Sequence, residues 1–215
     1  MEVLQILYIC CLVAATIKAT VLGWRYSLQF QNYLAVYLIG TLGLEFYGSI
    51  KTLLKQFNFA VFFNIYAVFC ILFFGVYFSR VYIRTFKRIG IFATSGLLLY
   101  LLFFVEILSK QFLPQLGILV ALFYIFNSIL WFFQKLKLPV EGKITDDPNF
   151  WISTALLFWS TYIIFRFTPM YLFEKEDQIF LNILRKIGSV VNFIMYALFY
   201  FSLLKYEAIA KERNK

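Results

Sequence analysis

Histidine is absent from the 215 residues of this chain, and that absence removes several reaction mechanisms at once. Imidazole general bases, Ser-His and Cys-His nucleophile pairs and the usual zinc sites all depend on it. Cysteine is scarce as well. Cys10, Cys11 and Cys70 all fall inside apolar runs, and their spacing matches no metal or redox motif, so they read as inert packing residues. Only 14% of the residues are charged, too few to surface a soluble domain of this length. Catalysis built on Asp, Glu, Lys or Tyr alone is not excluded, but no such residues form a catalytic pattern. The chain is expected to be no enzyme and to need no cofactor or metal.

What is abundant is apolar: 62% of the residues are hydrophobic and 22% aromatic, with a mean hydropathy of +0.80. Lipid is the solvent that accepts such a surface. Seven runs stand out, at Val3 to Leu22, Tyr33 to Ile50, Phe59 to Phe78, Ile89 to Leu108, Leu113 to Phe133, Phe150 to Phe173 and Ile187 to Leu204. Each is close to the ~20 residues a helix needs to cross ~30 Å of hydrocarbon. The expected fold is therefore an all-α membrane protein, a single bundle of seven transmembrane helices. The fourth and fifth runs are separated only by Ser109, Lys110 and Gln111, and Pro114 just beyond favours a tight turn there. The first run starts Met1-Glu2-Val3 without a basic segment and carries Lys18 where a cleavage site would lie, so it is expected to stay as a span. Its removal would leave six.

Net charge is +9, but the basic residues sit at the ends of runs, which argues for a bilayer and against nucleic acid. By alternation, one side of the membrane receives 13 Lys and Arg, including Lys18, Arg25, Arg80, Arg84, Lys135 and Lys205. The other side receives 6, with Arg166 left inside a span. The positive-inside rule then places the N-terminus outside and the C-terminus in the cytoplasm, in a cell inner membrane.

Charge inside hydrocarbon costs at least ~2.5–3.5 kcal/mol on insertion scales and so demands a reason. Glu45 in the second span, Glu106 at the end of the fourth and Arg166 in the sixth all fall in the outer half, with Asn64 and Asn192 at similar depth. One reading gathers them into an outward-facing polar cavity that binds a ligand, with Glu45 paired to Arg166. The other makes them glue: Glu106 at the water interface, Arg166 snorkelling, and the two amides bonding across helices. Pro169, three residues past Arg166, either kinks that span or marks its approaching end.

Arg80, Arg84 and Arg88 recur every fourth residue with Lys87 alongside. If the third span continues as helix, they make one basic face for anionic lipid headgroups, or for an acidic docking protein. Glu174, Glu176 and Asp177 read as a solvated loop, with loose divalent-cation binding as the alternative. Trp24, Trp131 and Trp151 fall near span ends, as an aromatic belt requires, while Trp159 is deeper. The many Phe and Tyr side chains read as bulk facing lipid and the interface. A faint echo of Asn64-Ile65-Tyr66-Ala67-Val68-Phe69 in Asn192 to Phe199 hints at two parallel triplets joined by a linker span, a layout known among small transporters.

Asp147-Pro148-Asn149-Phe150-Trp151-Ile152-Ser153-Thr154, followed by Leu156-Leu157-Phe158, and Asn192-Phe193-Ile194-Met195-Tyr196-Ala197-Leu198-Phe199 together resemble stretches of an uncharacterised seven-span integral membrane protein family of Bacteroidetes. Glu45 and the Asn64-Ile65 pair are similar too. The family tends to carry an acid near the position of Cys70, which this chain lacks. The resemblance implies sensing at the membrane, since family members often stand beside sensor histidine kinases, and no established activity comes with it. Physically, Pro148 and Asn149 also suit a helix start, with Phe150 and Trp151 as interface anchors.

The expected function is that of a non-enzymatic membrane sensor or accessory module, with the lipid bilayer and a cytoplasmic signalling protein as partners. A small-molecule carrier of 3+1+3 layout is the alternative, and a lipid-modifying enzyme ranks last. A structural subunit of a larger complex fits the same residues.

Overall fold

The computed structural model describes residues 3–54, 60–111, 113–138, 142–173 and 178–213. Among these residues there are seven α-helices, one 3-10 turn at Ile144–Asp146, and no strand. The helices are α1 (Val3–Arg25), α2 (Leu34–Leu53), α3 (Ala60–Val81), α4 (Arg84–Phe104), α5 (Pro114–Lys137), α6 (Pro148–Phe173) and α7 (Gln178–Arg213). Long apolar runs become helices because only a helix satisfies every backbone N–H and C=O within one segment. All except α2 are long and apolar enough to cross a membrane, which supports a multi-pass membrane protein. α2 spans 20 residues but holds Thr41, Glu45 and Lys51, and it is the one helix that falls short in apolarity.

Helix contacts run α1 to α2, α2 to α3, α3 to α5, α5 to α6, α6 to α7 and α7 back to α1. They close a six-membered ring. α4 lies outside it, packed on α3 and to a lesser extent on α5. Gly75 permits that packing: a Cβ there would stand 2.4 Å from Thr94 Cγ2. The rest of α4 faces outward, with Phe92, Leu102, Phe103 and Phe104 exposed, as suits a lipid-facing helix.

Three expected boundaries need correction. α4 ends at Phe104, where Val105 turns to extended backbone (φ −125°, ψ 123°), so Glu106 lies exposed in a connection and not in a span. The apolar run continues past the helix end because Val105, Ile107 and Leu113 pack on the core from the connection itself. Hydropathy cannot separate a buried connection from a span. Second, α3 stops at Val81 and α4 starts at Arg84, so Arg80 does not share a helix with Arg84, Lys87 and Arg88. Tyr82 and Ile83 leave the helix because α5 supplies other partners: Tyr82 Oη donates to the Asn127 carbonyl at 2.8 Å, and Ile83 N–H donates to Gln134 Oε1 at 3.1 Å. All four basic residues are exposed; the Arg80 guanidinium lies over the Tyr33 ring at 4.5 Å. Third, α7 has 36 residues, about 54 Å at ~1.5 Å per residue, far more than the apolar run within it. Its last turns are polar yet held against α1 by Lys18 and Glu207.

α6 stays helical through Phe173, so Pro169 does not end it. Glu174, Glu176 and Asp177 lie outside the described residues.

Candidate functional site

Inside the ring is a partly open cavity of about 220 Å³. Its walls come from α2, α3, α5, α6 and α7, and α1 reaches its edge through Tyr8. Phe63, Leu116 and Gly117 line it one turn from the starts of α3 and α5; Tyr37, Cys70, Tyr124 and Met195 line it near mid-bundle. The walls are largely aromatic: Tyr37, Phe63, Tyr66, Tyr124, Trp159, Phe167 and Tyr196. Gly117 lets the Phe167 ring of α6 pack close against α5, since a Cβ there would stand 2.9 Å from it.

Few polar groups enter this space. Glu45 is half-buried and accepts a hydrogen bond at 3.0 Å from Tyr8 Oη. The Thr41 and Tyr66 hydroxyls bond one another at 2.6 Å. Trp159 Nε1–H donates to Asn192 Oδ1 at 2.9 Å. The Tyr124 hydroxyl is buried beside the Cys70 thiol and the Tyr37 hydroxyl. Among the described lining residues Glu45 is the one carboxylate, and none is basic.

Of the five residues expected to form an outer polar cavity, the structure brings Glu45 and Asn192 together on this one. Asn64 does something else. It is fully buried, donates to the carbonyls of Ser109 and Gln111 at 3.3 and 3.1 Å, and accepts from Leu113 N–H at 3.3 Å. A non-helical connection leaves backbone groups open, and Asn64 closes three of them. Glu106 sits in that connection, exposed. Arg166 is half-buried beside Tyr162, where α6 meets α7 at Gly188. It does not line the cavity, and no ion pair joins it to Glu45.

The aromatic residues are the larger correction. Tyr8, Tyr37, Tyr77, Tyr82, Tyr124, Tyr196 and Tyr206 are all buried, and so face the interior, not lipid. Trp131, expected in an interfacial belt, is fully buried as well. A signal for this was present. A phenol in mid-span carries a hydroxyl that lipid cannot satisfy, so Tyr66, Tyr124 and Tyr196 should have been read as interior.

Beneath the cavity the aromatic rings close up. Tyr37 and Phe74 centroids are 4.8 Å apart, Phe74 and Tyr124 4.9 Å, and Tyr37 and Phe199 5.9 Å. Below this floor lies a hydrogen-bonded polar knot centred on the Asp147-Pro148-Asn149 motif. Asp147 Oδ1 accepts from Asn149 N–H at 2.9 Å and from its side-chain amide at 2.8 Å, which caps the start of α6. Asp147 Oδ2 pairs with Lys135 of α5 at 2.7 Å. Asn149 Oδ1 accepts from Tyr77 of α3 at 2.7 Å and Tyr206 of α7 at 3.3 Å, while Asn32 donates to Tyr206 at 3.3 Å. Asn32 stands in a left-handed conformation (φ 51°), which a short amide side chain tolerates. Beyond the knot, Lys205 pairs with Asp146 at 2.7 Å; that hydrogen bond, then the lysine charge, hold the exposed Asp146 carboxyl below its ordinary range.

Among the described residues no group of His, Cys, Asp and Glu is placed to hold a metal ion. No protein-family model matches the chain, and neither a curated protein nor a solved structure matches it.

Proposed function

We propose that this chain is a seven-span protein of the cell inner membrane, N-terminus outside, whose central cavity captures a small molecule from the outer side. In this reading the chain performs no catalysis and acts as a membrane sensor or accessory module, with a cytoplasmic signalling protein responding to occupancy. One observation carries the reading: a cavity of about 220 Å³ at the centre of a closed helix ring, floored by packed rings and a polar knot. Pockets of this kind, apolar with a few directed polar groups, are the default binding sites of helix bundles. The knot supports the signalling half, because one motif contacts α3, α5 and α7 on the side assigned to the cytoplasm. Helix shifts around a ligand would be felt there.

Orientation is tested with single cysteines at the exposed positions Lys110 and Lys143 in a chain otherwise free of cysteine. A membrane-impermeant maleimide is expected to label Lys110→Cys on intact cells and Lys143→Cys only after permeabilisation; the reverse pattern overturns the topology. A photo-crosslinking residue at Lys87 or Lys137, both exposed, is expected to trap a signalling protein in cells. Absence of any such adduct removes the sensor reading.

A second reading, the carrier, is favoured by the ring order. Exchanging α1 with α5, α2 with α6 and α3 with α7 leaves every neighbour relation in the ring unchanged, as two parallel triplets with a linker helix require. The carrier reading predicts solute uptake in reconstituted vesicles that Glu45→Gln abolishes.

A further inference from the structure

We infer that the central cavity is a site for a small organic cation, with Glu45 as its counter-ion and the aromatic walls as its cage. The inference deepens the reading of this cavity as a ligand site and rests on it. Three features select the charge and size of the ligand.

The first is the sign of the lining. Glu45 is the sole carboxylate among the described lining residues, and no lysine or arginine accompanies it. Arg166, the one basic residue expected nearby, belongs instead to the contact of α6 with α7. An anionic ligand would meet an acid with nothing to offset it, whereas a cation compensates a carboxylate that has a single tyrosine donor, Tyr8.

The second is the wall. Tyr66, Trp159, Tyr196 and Phe63 present ring systems to the same space as Glu45. Indole and phenol faces attract cations through their quadrupoles, most strongly where water is excluded, and this is how quaternary ammonium groups are recognised. A metal ion or a bare ammonium would instead need several strong oxygen ligands or acceptors, and one carboxylate does not supply them.

The third is the Tyr124 hydroxyl, buried on the deeper wall with the Cys70 sulfur and the Tyr37 hydroxyl beside it. Sulfur is a weak acceptor, and a ligand hydroxyl or carbonyl would offer a stronger one. The volume suits such a molecule: roughly 150 Å³ already admits benzene, and this cavity holds about 220 Å³.

The test uses the full chain in nanodiscs, free of detergent that could occupy the cavity. Choline and its neutral carbon isostere dimethylbutanol, which differ in charge and hardly in shape, are compared by calorimetric binding and by the shift in thermal unfolding. Choline is expected to bind at least about tenfold more tightly than the isostere. Glu45→Gln, which keeps an acceptor for Tyr8 and leaves the aromatic walls in place, is expected to weaken choline binding more than isostere binding. Equal binding of the two probes to the wild type overturns the cation assignment but leaves the cavity as a ligand site. Retention of choline affinity in a folded Glu45→Gln protein overturns it as well. If neither probe binds, both the cation assignment and the reading of the cavity as a site fall together. The wild-type comparison stands even where the variant does not fold.

Discussion

The interior of this bundle holds two polar regions of opposite character, one on either side of the Tyr37–Phe74–Phe199 floor. In the knot, Asp147 and Asn149 each serve several partners drawn from different helices. In the cavity, Glu45 has one tyrosine donor, and the Tyr124 hydroxyl has Cys70 and Tyr37 as its polar neighbours. Dense mutual satisfaction rigidifies a membrane interior, because in lipid an unmade hydrogen bond has no water to fall back on. Sparse polar contacts beside empty volume do the reverse. One end of the interior is thus densely bonded and the other sparsely, from the same few residue types.

The strongest way to break the comparison is at Asn149. Asn149→Leu removes the acceptor shared by Tyr77 and Tyr206 and the amide that donates to Asp147. The two hydroxyls keep each other at 3.2 Å, so one buried O–H loses its acceptor and a total loss of about 3 kcal/mol is expected. Equilibrium unfolding in bicelles would show it, and a loss below about 1 kcal/mol would mean that the knot is ornamental. Next comes Asn64→Ala, with an expected loss of about 2 kcal/mol. Hydrogen exchange should quicken in the connection from Val105 to Leu113 and not in the helices beside it, since that is where its three bonds go.

The cavity end should respond weakly in stability. Because Glu45 and Arg166 form no ion pair, the effects of Glu45→Gln and Arg166→Gln are expected to add within about 0.5 kcal/mol in the double variant. A larger coupling in thermal unfolding would restore the buried pair. The smallest effect concerns acid. The Asp146 carboxyl is held below its ordinary value by Lys205, so its contribution is complete above the unfolded carboxylate value and fades as pH falls through the lower folded one. Asp146→Asn should therefore flatten the acid limb of the stability curve only slightly, as suits an exposed pair.

Much of the fold was legible from hydropathy alone. α1, α2, α3, α5 and α6 begin or end within a few residues of the runs that announced them, because a span must be both apolar and about bilayer length. The misreadings share one cause. Val105 and Ile107 are apolar for packing a connection, the outer parts of α7 are polar yet helical, and Trp131 sits at the end of a run but inside the ring. Hydropathy reports what a residue avoids and is silent on which neighbour replaces water. The same gap explains the site. Glu45 and Asn192 were recognisable as polar intruders, whereas Tyr66, Tyr124 and Trp159 resembled ordinary membrane aromatics until the ring order turned them inward.

By itself, then, the amino-acid sequence determined that this chain is helical, that lipid is its solvent and that it offers no imidazole of its own, since each follows from residue type and run length. The tertiary structure alone decided that α4 stands outside the ring, that Asn64 serves a connection, that Arg166 and Glu45 stay apart, and that a carboxylate shares a cavity with a cage of aromatic rings. Those outcomes depend on which face of each helix meets which neighbour. Helix faces are chosen by packing among all the spans at once, and no single span encodes that choice.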